Sequence, residues 1–210
     1  MTLLNRFLKV VNLSIYFRLF FVIHWPGCRY CGRRLWMAIR DMLLPEYDQE
    51  MANTRKLLER LPEQISDYKP HTKSMPLNRL AGHVAELPGW AKETFTKEVL
   101  EFDMDNFVPF TPKTRQEVLD TFDTNSKAGR EALAAANDEA FGVIWSLKNT
   151  KGDTIFSMPR AACYRGMVMS HMIHHRAQLG VYLRLNEIEI PGMYGPSADE
   201  MKFWQEAHSA

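Results

Sequence analysis

His171, His174 and His175 place three of the chain's seven histidines within five residues. Residues four apart share a face of an α-helix, so on a helix His171 and His175 aim their rings at one point. Two imidazoles at that spacing are a common metal clamp, and a site of this kind accepts zinc, nickel, iron or copper. At about 100° per residue the same stripe takes in Tyr164, Met167, Gln178 and Tyr182, a mixed apolar and polar face suited to a partly polar interior. His174 falls about 60° from His171 and about 100° from His175. It is a neighbour of the clamp, or its alternative member in an i,i+3 pair. An open metal site needs a third protein ligand from elsewhere in the chain.

The third ligand must come from an element packed against the histidine run, which extends from Met158 to Asn186 with Pro159 at its opening. Leu77, Leu80, His83, Leu87, Trp90 and Thr94 recur at helical spacing after Pro76, so His83 is interior on a separate helix. Pro88-Gly89 interrupts that helix just beyond His83. Proline lacks an N–H and clashes with the carbonyl four residues back, so a kink is expected there. A histidine on an apolar face is more often a satisfied core residue. Facing a preformed His171/His175 pair, His83 becomes the best candidate for the third ligand. His24, His71 and His208 lie in the leader, a polar loop and the tail.

Two further helices complete the frame. Tyr47, Glu50, Met51, Thr54, Leu57, Leu58 and Leu61 recur at three and four, with Pro45 expected in the first turn and Pro62 ending the run. Thr114-Arg-Gln-Glu117 reads as a capping box opening a helix that buries Val118, Phe122, Asn125, Gly129 and Leu133 and runs to about Ala136. Ser66–Met75 and Glu101–Pro112 read as loops. Residues 143–148 and 154–158 flank Asn149–Asp153 as a hairpin, and Ser197-Ala-Asp-Glu200 could cap a last short helix. The expected fold is all-α: a four-helix bundle with a small hairpin or irregular insert before the last long helix.

Composition narrows the function. The chain has 210 residues, 46% of them apolar, enough for one sizeable core. Residues 1–36 carry six Lys/Arg and no acid, leaving 20 basic against 25 acidic residues from Met37 onward. An acidic body without a basic, aromatic-interleaved patch argues against nucleic-acid binding. Three cysteines suit a reducing compartment, so a cytoplasmic protein is expected. In residues 1–36 the apolar run from Leu13 to Trp25 is broken by Arg18 and His24, too short to span a bilayer and poorly formed as a cleaved signal. Cys28 and Cys31 have CxxC spacing without the βαβ context or second pair that redox or zinc chemistry needs. The expectation is a domain over 37–206 behind a disordered or mistranslated extension, with a membrane-surface anchor as the alternative for residues 1–36.

Met37-Ala-Ile-Arg-Asp-Met-Leu-Leu-Pro-Glu-Tyr-Asp-Gln-Glu50, Leu80-Ala-Gly-His-Val-Ala-Glu-Leu-Pro-Gly-Trp90, His171 to Arg184 and Pro191-Gly-Met-Tyr-Gly-Pro-Ser-Ala-Asp-Glu200 together resemble the DinB family. This is the small metal-binding family, not the DNA polymerase of the same name. The resemblance implies a four-helix bundle related to mycothiol-dependent maleylpyruvate isomerases and bacillithiol S-transferases, often a homodimer. It also implies a metal triad of one histidine on the second helix and two on the last: His83, His171 and His175.

Three neutral imidazoles leave coordination positions open, where a water has a lowered pKa and a thiol ionises. One reading is therefore an enzyme in which a low-molecular-weight thiol attacks a small electrophile, with Tyr182, Gln178 or Arg176 orienting it. A second is a hydrolase, with Glu86, one turn from His83, as a base set about 60° aside. A third is a non-catalytic metal-binding stress protein. The metalloprotease pattern is excluded because Met172 stands where glutamate is needed after the first histidine. The di-iron pattern is excluded because no glutamate lies three residues before any histidine. Cys163 reads as a buried structural thiol.

Overall fold

The computed structural model describes residues 37–201. The expectations for residues 1–36, including Cys28 and Cys31, and for the far end of the 37–206 unit lie outside those residues. The architecture is predominantly helical with one small three-stranded sheet.

Helix α1 spans Ile39–Leu58 and buries Tyr47, Glu50, Met51, Asn53, Thr54, Leu57 and Leu58. It begins earlier than the proline suggests, because Asp138 Oδ1 accepts from Ile39 N at 2.9 Å. Pro45 therefore lies inside the helix and not in its first turn. It is tolerated because Pro45 and Asp41, whose carbonyl it leaves unpaired, both face water. Helix α2, Leu77–Glu86, and helix α3, Gly89–Thr96, are the two pieces of the expected second helix, separated at Leu87-Pro88. The break frees the carbonyl of Ala85, and Asn125 Nδ2 donates to it at 2.9 Å. Gly89 makes room for that side chain: a Cβ there would stand 2.9 Å from Asn125 Oδ1.

Helix α4 spans Arg115–Ala135. Thr114 Oγ1 accepts from Glu117 N at 3.2 Å, while Glu117 Oε2 accepts from Lys113 N at 2.8 Å. The capping box forms, with the glutamate reaching one residue further back than expected. A short α5 follows at Asp138–Gly142, capped by Asn137.

The hairpin is present as β2, Ile144–Asn149, and β3, Thr154–Pro159, paired antiparallel. Asn149 Oδ1 accepts from Lys151 N and Asp153 N at 3.0 and 2.9 Å and shapes the turn. The all-α expectation is corrected by β1, Val99–Phe102, which pairs parallel with β2 (Val99 opposite Ser146, Phe102 opposite Asn149) and takes the first residues of the expected 101–112 loop. The sheet seals on α3 through rings: Trp145 lies 6.4 Å from Trp90 and 5.8 Å from Phe156 between centroids.

The histidine run folds in three pieces: α6, Arg160–Cys163, a π-helical stretch, Tyr164–Ser170, and α7, His171–Leu185. It stops with Glu187 at φ 59°. Glu187 N and Ile188 N return to the carbonyls of Arg184 and Leu183 at 3.1 and 3.0 Å, the paired bonds of a Schellman end with glutamate in glycine's usual place. Ser197 and Glu200 then cap one another at 3.2 and 3.0 Å and open a helical turn at 198–201. Helix α4 packs on α1, α2 and α3, and α7 packs on α1 and α2. The main core lies between them, with Leu58, Leu80, Val84, Val118, Leu133, Met172 and Leu183 fully buried. No helix among the described residues is long and apolar enough to cross a membrane.

Candidate metal centre

His83 sits in the last turn of α2, with its side chain 20% exposed. Gly82 is required beside it: a Cβ there would stand 2.6 Å from Phe110 O and 2.7 Å from Pro112 Cδ, so glycine lets the chain at 110–112 lie on α2. His171 and His175 occupy the first two turns of α7, which packs on α2. One donor atom from each of His83, His171 and His175 lies within 4.8 Å of the other two. His83 Nε2 is 3.4 Å from His171 Nε2. Two donors each about 2.05 Å from a tetrahedral ion stand about 3.3–3.4 Å apart, so His83 and His171 are spaced as two ligands of one ion would be.

The other ring nitrogens turn outward. His171 Nδ1 is 3.3 Å from Met167 O, and His175 Nδ1 is 2.7 Å from Gln178 Oε1. His83 Nδ1 lies 3.9 Å from Glu86 Oε2. An acceptor at Nδ1 holds the proton there and leaves Nε2 free as a ligand, the outer arrangement characteristic of metal-binding histidines. Burial holds His171 below the ordinary imidazole range, and the neighbouring His83 ring adds to this. Burial pushes His175 down to about 4 against the Gln178 hydrogen bond, with the His83 and His171 rings contributing. Both rings are therefore neutral at pH 7, as ligands must be. Burial raises the Glu86 carboxyl, but the neighbouring His83 ring and the Arg79 guanidinium, 2.9 Å away, outweigh it and leave Glu86 below the ordinary carboxylate range.

His174 is exposed, meets His175 edge-on at 4.9 Å between centroids, and stays out of the cluster. His71 is exposed in its loop and accepts from Lys73 N; His24 and His208 lie outside the described residues. Of the proposed orienting residues, Gln178 holds the His175 ring. Tyr182 is buried edge-on to Tyr68 at 6.3 Å. Arg176 points the other way, into a buried ion pair with Glu50. Cys163 is fully buried, as expected, 3.5 Å from Thr94 Oγ1.

Residues 39–208, which hold the whole cluster, match the sequence model of the DinB family. The chain belongs to the DinB family. It is 25% identical over 171 residues to "Uncharacterized protein YrdA" of Bacillus subtilis (strain 168), covering 80% of this chain and 95% of that one. A DinB-like protein from Bacillus cereus ATCC 10987 superposes with a TM-score of 0.58 at 22% identity, covering 76% of this chain and all of that one. The DinB-like YjoA of Bacillus subtilis does so with a TM-score of 0.55 at 18% identity, over 72% and 97% of the two chains. At these identities the two structures speak to the DinB fold alone.

In this DinB chain a cleft of about 530 Å³ ends on His83 and Glu86, with Arg79, Trp90, Lys92, Phe102, Phe107 and Thr124 among its walls. Sequence reasoning missed it. The signal was two phenylalanines, Phe102 and Phe107, in a stretch read as plain loop.

Proposed function

We propose that His83, His171 and His175 hold one divalent ion, zinc, nickel or iron, and that the protein is a thiol-dependent transferase or isomerase acting on a small electrophile. The observation that carries this is the convergence of one ring nitrogen from each of three histidines, His83 Nε2 and His171 Nε2 among them, while Nδ1 of His171 and of His175 faces an acceptor. A divalent ion so held supplies Lewis acidity, favouring the ionised form of a thiol or water in an open position. Gln178 and the Met167 carbonyl fix the α7 rings, and Glu86 steadies His83. The thiol reading is favoured over hydrolysis because Glu86, the nearest carboxylate base, is paired with Arg79 and weakly basic. Kinship with thiol-dependent isomerases and transferases, implied by the family resemblance, supports the same side.

We also read the contacts of α1, α2–α3, α4 and α6–α7 as a four-helix bundle, the functional unit as residues 37–206, and the assembly as a homodimer. The reading of the site is tested with Co²⁺ in place of the native ion. Adding a low-molecular-weight thiol at millimolar concentration should give a thiolate-to-metal charge-transfer band, lost in His83→Ala, His171→Ala and His175→Ala. No band with any cellular thiol, on protein shown to hold one Co²⁺, overturns the thiol reading.

A further inference from the structure

The cleft ending on His83 has a chemistry of its own. One wall is aromatic: Trp90, Phe102 and Phe107 follow one another with centroids 6.4 and 4.9 Å apart. These rings are not closed into the core, and Phe107 is 44% exposed. Trp90 is held between Trp145 and Phe102, which fixes the inner end of the wall. Rigid aromatic surfaces in a concave site of this volume are what a planar ring stacks on.

The charged groups of the cleft are mostly spoken for. Arg79 pairs with Glu86, and Glu93 pairs with Lys97 outside the cleft. Lys92, on α3 two residues from Trp90, makes no ion pair among the described residues and is exposed. The cleft thus carries one unneutralised cation beside an aromatic wall, with Thr124 and Asn125 of α4 among the remaining lining residues.

We propose that this cleft binds a planar aromatic ring bearing one acidic group, the ring against Trp90, Phe102 and Phe107 and the acid at Lys92. Such a ligand would lie with its far end toward His83. Its role as the electrophilic substrate rests on the function proposed above; its binding does not, because only His83 of the three histidines borders the cleft.

Isothermal titration of the full-length, metal-free protein with 2-naphthoate and with neutral 2-naphthamide tests this. Naphthoate should bind one site and more tightly than the amide. Lys92→Gln should weaken naphthoate roughly threefold or more while leaving the amide unchanged, as for one partly exposed charge contact. Phe107→Ala should weaken both. Absence of binding at millimolar naphthoate overturns the proposal. So does binding unchanged in both Lys92→Gln and Phe107→Ala, or equal affinity for acid and amide. Naphthoate binding to a protein that holds no metal under any condition would keep the cleft and sink the metal centre, so the two failures are separable.

Discussion

Arg176 follows His175 directly, and replacing it separates a structural role from a functional one. Its Nη1 lies 2.6 Å from Glu50 Oε2, with the two side chains 3% and 8% exposed. It also donates to Glu50 O and Thr54 Oγ1 at 3.1 Å each and to Tyr194 OH at 2.7 Å. Arg176→Met keeps the apolar stem and removes the cation, leaving the Glu50 carboxylate buried with the Tyr194 hydroxyl, 2.8 Å away, as its remaining donor. Breaking a buried pair from one side costs about 3–5 kcal/mol. At about 2–4 °C per kcal/mol for a domain of this size, Tm should fall by roughly 6–20 °C. Glu50→Met/Arg176→Met removes both charges together and should return most of that loss. Urea unfolding of the metal-free proteins measures the cycle, and Co²⁺ titration of the folded fraction should show affinity within about tenfold of wild type. An Arg176→Met protein as stable as wild type but unable to bind metal or thiol would refute the structural assignment.

Gln178→Leu removes the acceptor at His175 Nδ1 and should weaken metal affinity by about 10–100-fold, read by competition with a chromophoric chelator. His171 and His175 both titrate below the ordinary histidine value, His175 near 4. Unfolded chains take up these protons first, so the neutral rings favour the fold above about pH 6.5, and this contribution is lost as pH falls from there toward 4. Metal-free stability measured across that window should decline, and less steeply in His175→Leu. Gly129→Ala places a methyl 2.5 Å from Tyr47 OH and 2.6 Å from Pro88 O and should cost about 1–3 kcal/mol in urea unfolding. Glu187→Gly relieves a left-handed residue at the end of α7 and should raise stability by roughly 1 kcal/mol, checked in the same assay.

Local signals were legible because they depend on neighbours in sequence. The i,i+4 spacing of His171 and His175, the break at Pro88, the Thr114 cap, the Asn149 turn and the Ser197 cap are decided within a few residues. His83 was legible because it is interior by periodicity on a separate helix, just before the Pro88 break. What sequence did not show depends on distant partners. Val99–Phe102 is four residues long, carries Glu101, and becomes a strand because β2 offers it a parallel edge. Arg176 looked like a site residue because its fate depends on Glu50, Thr54 and Tyr194. Periodicity says which residues share a face, but not that a charge on the opposite face has a buried partner waiting. The 164–170 stretch kept an α-like pattern of apolar residues while taking a wider winding, a difference that hydropathy does not register.

That wider winding, Tyr164–Ser170, has a consequence for how the chain tolerates change in length. It lies between α6, whose Cys163 faces the sheet cluster, and α7, whose histidines face α2. A π-helical stretch carries an extra residue in the turn of an otherwise α-helical run, so it acts as a phase joint between two segments anchored to different partners. Removing one residue from it would return the winding to α while the hairpin and the histidines keep their own partners and the spacing of His171 and His175 stays as it is. The same deletion within His171–His175 would swing one imidazole about 100° around the axis. Single-residue length variation among relatives should therefore gather in this joint, and a grafted insert in place of the β2–β3 hairpin has its natural adjustment point there.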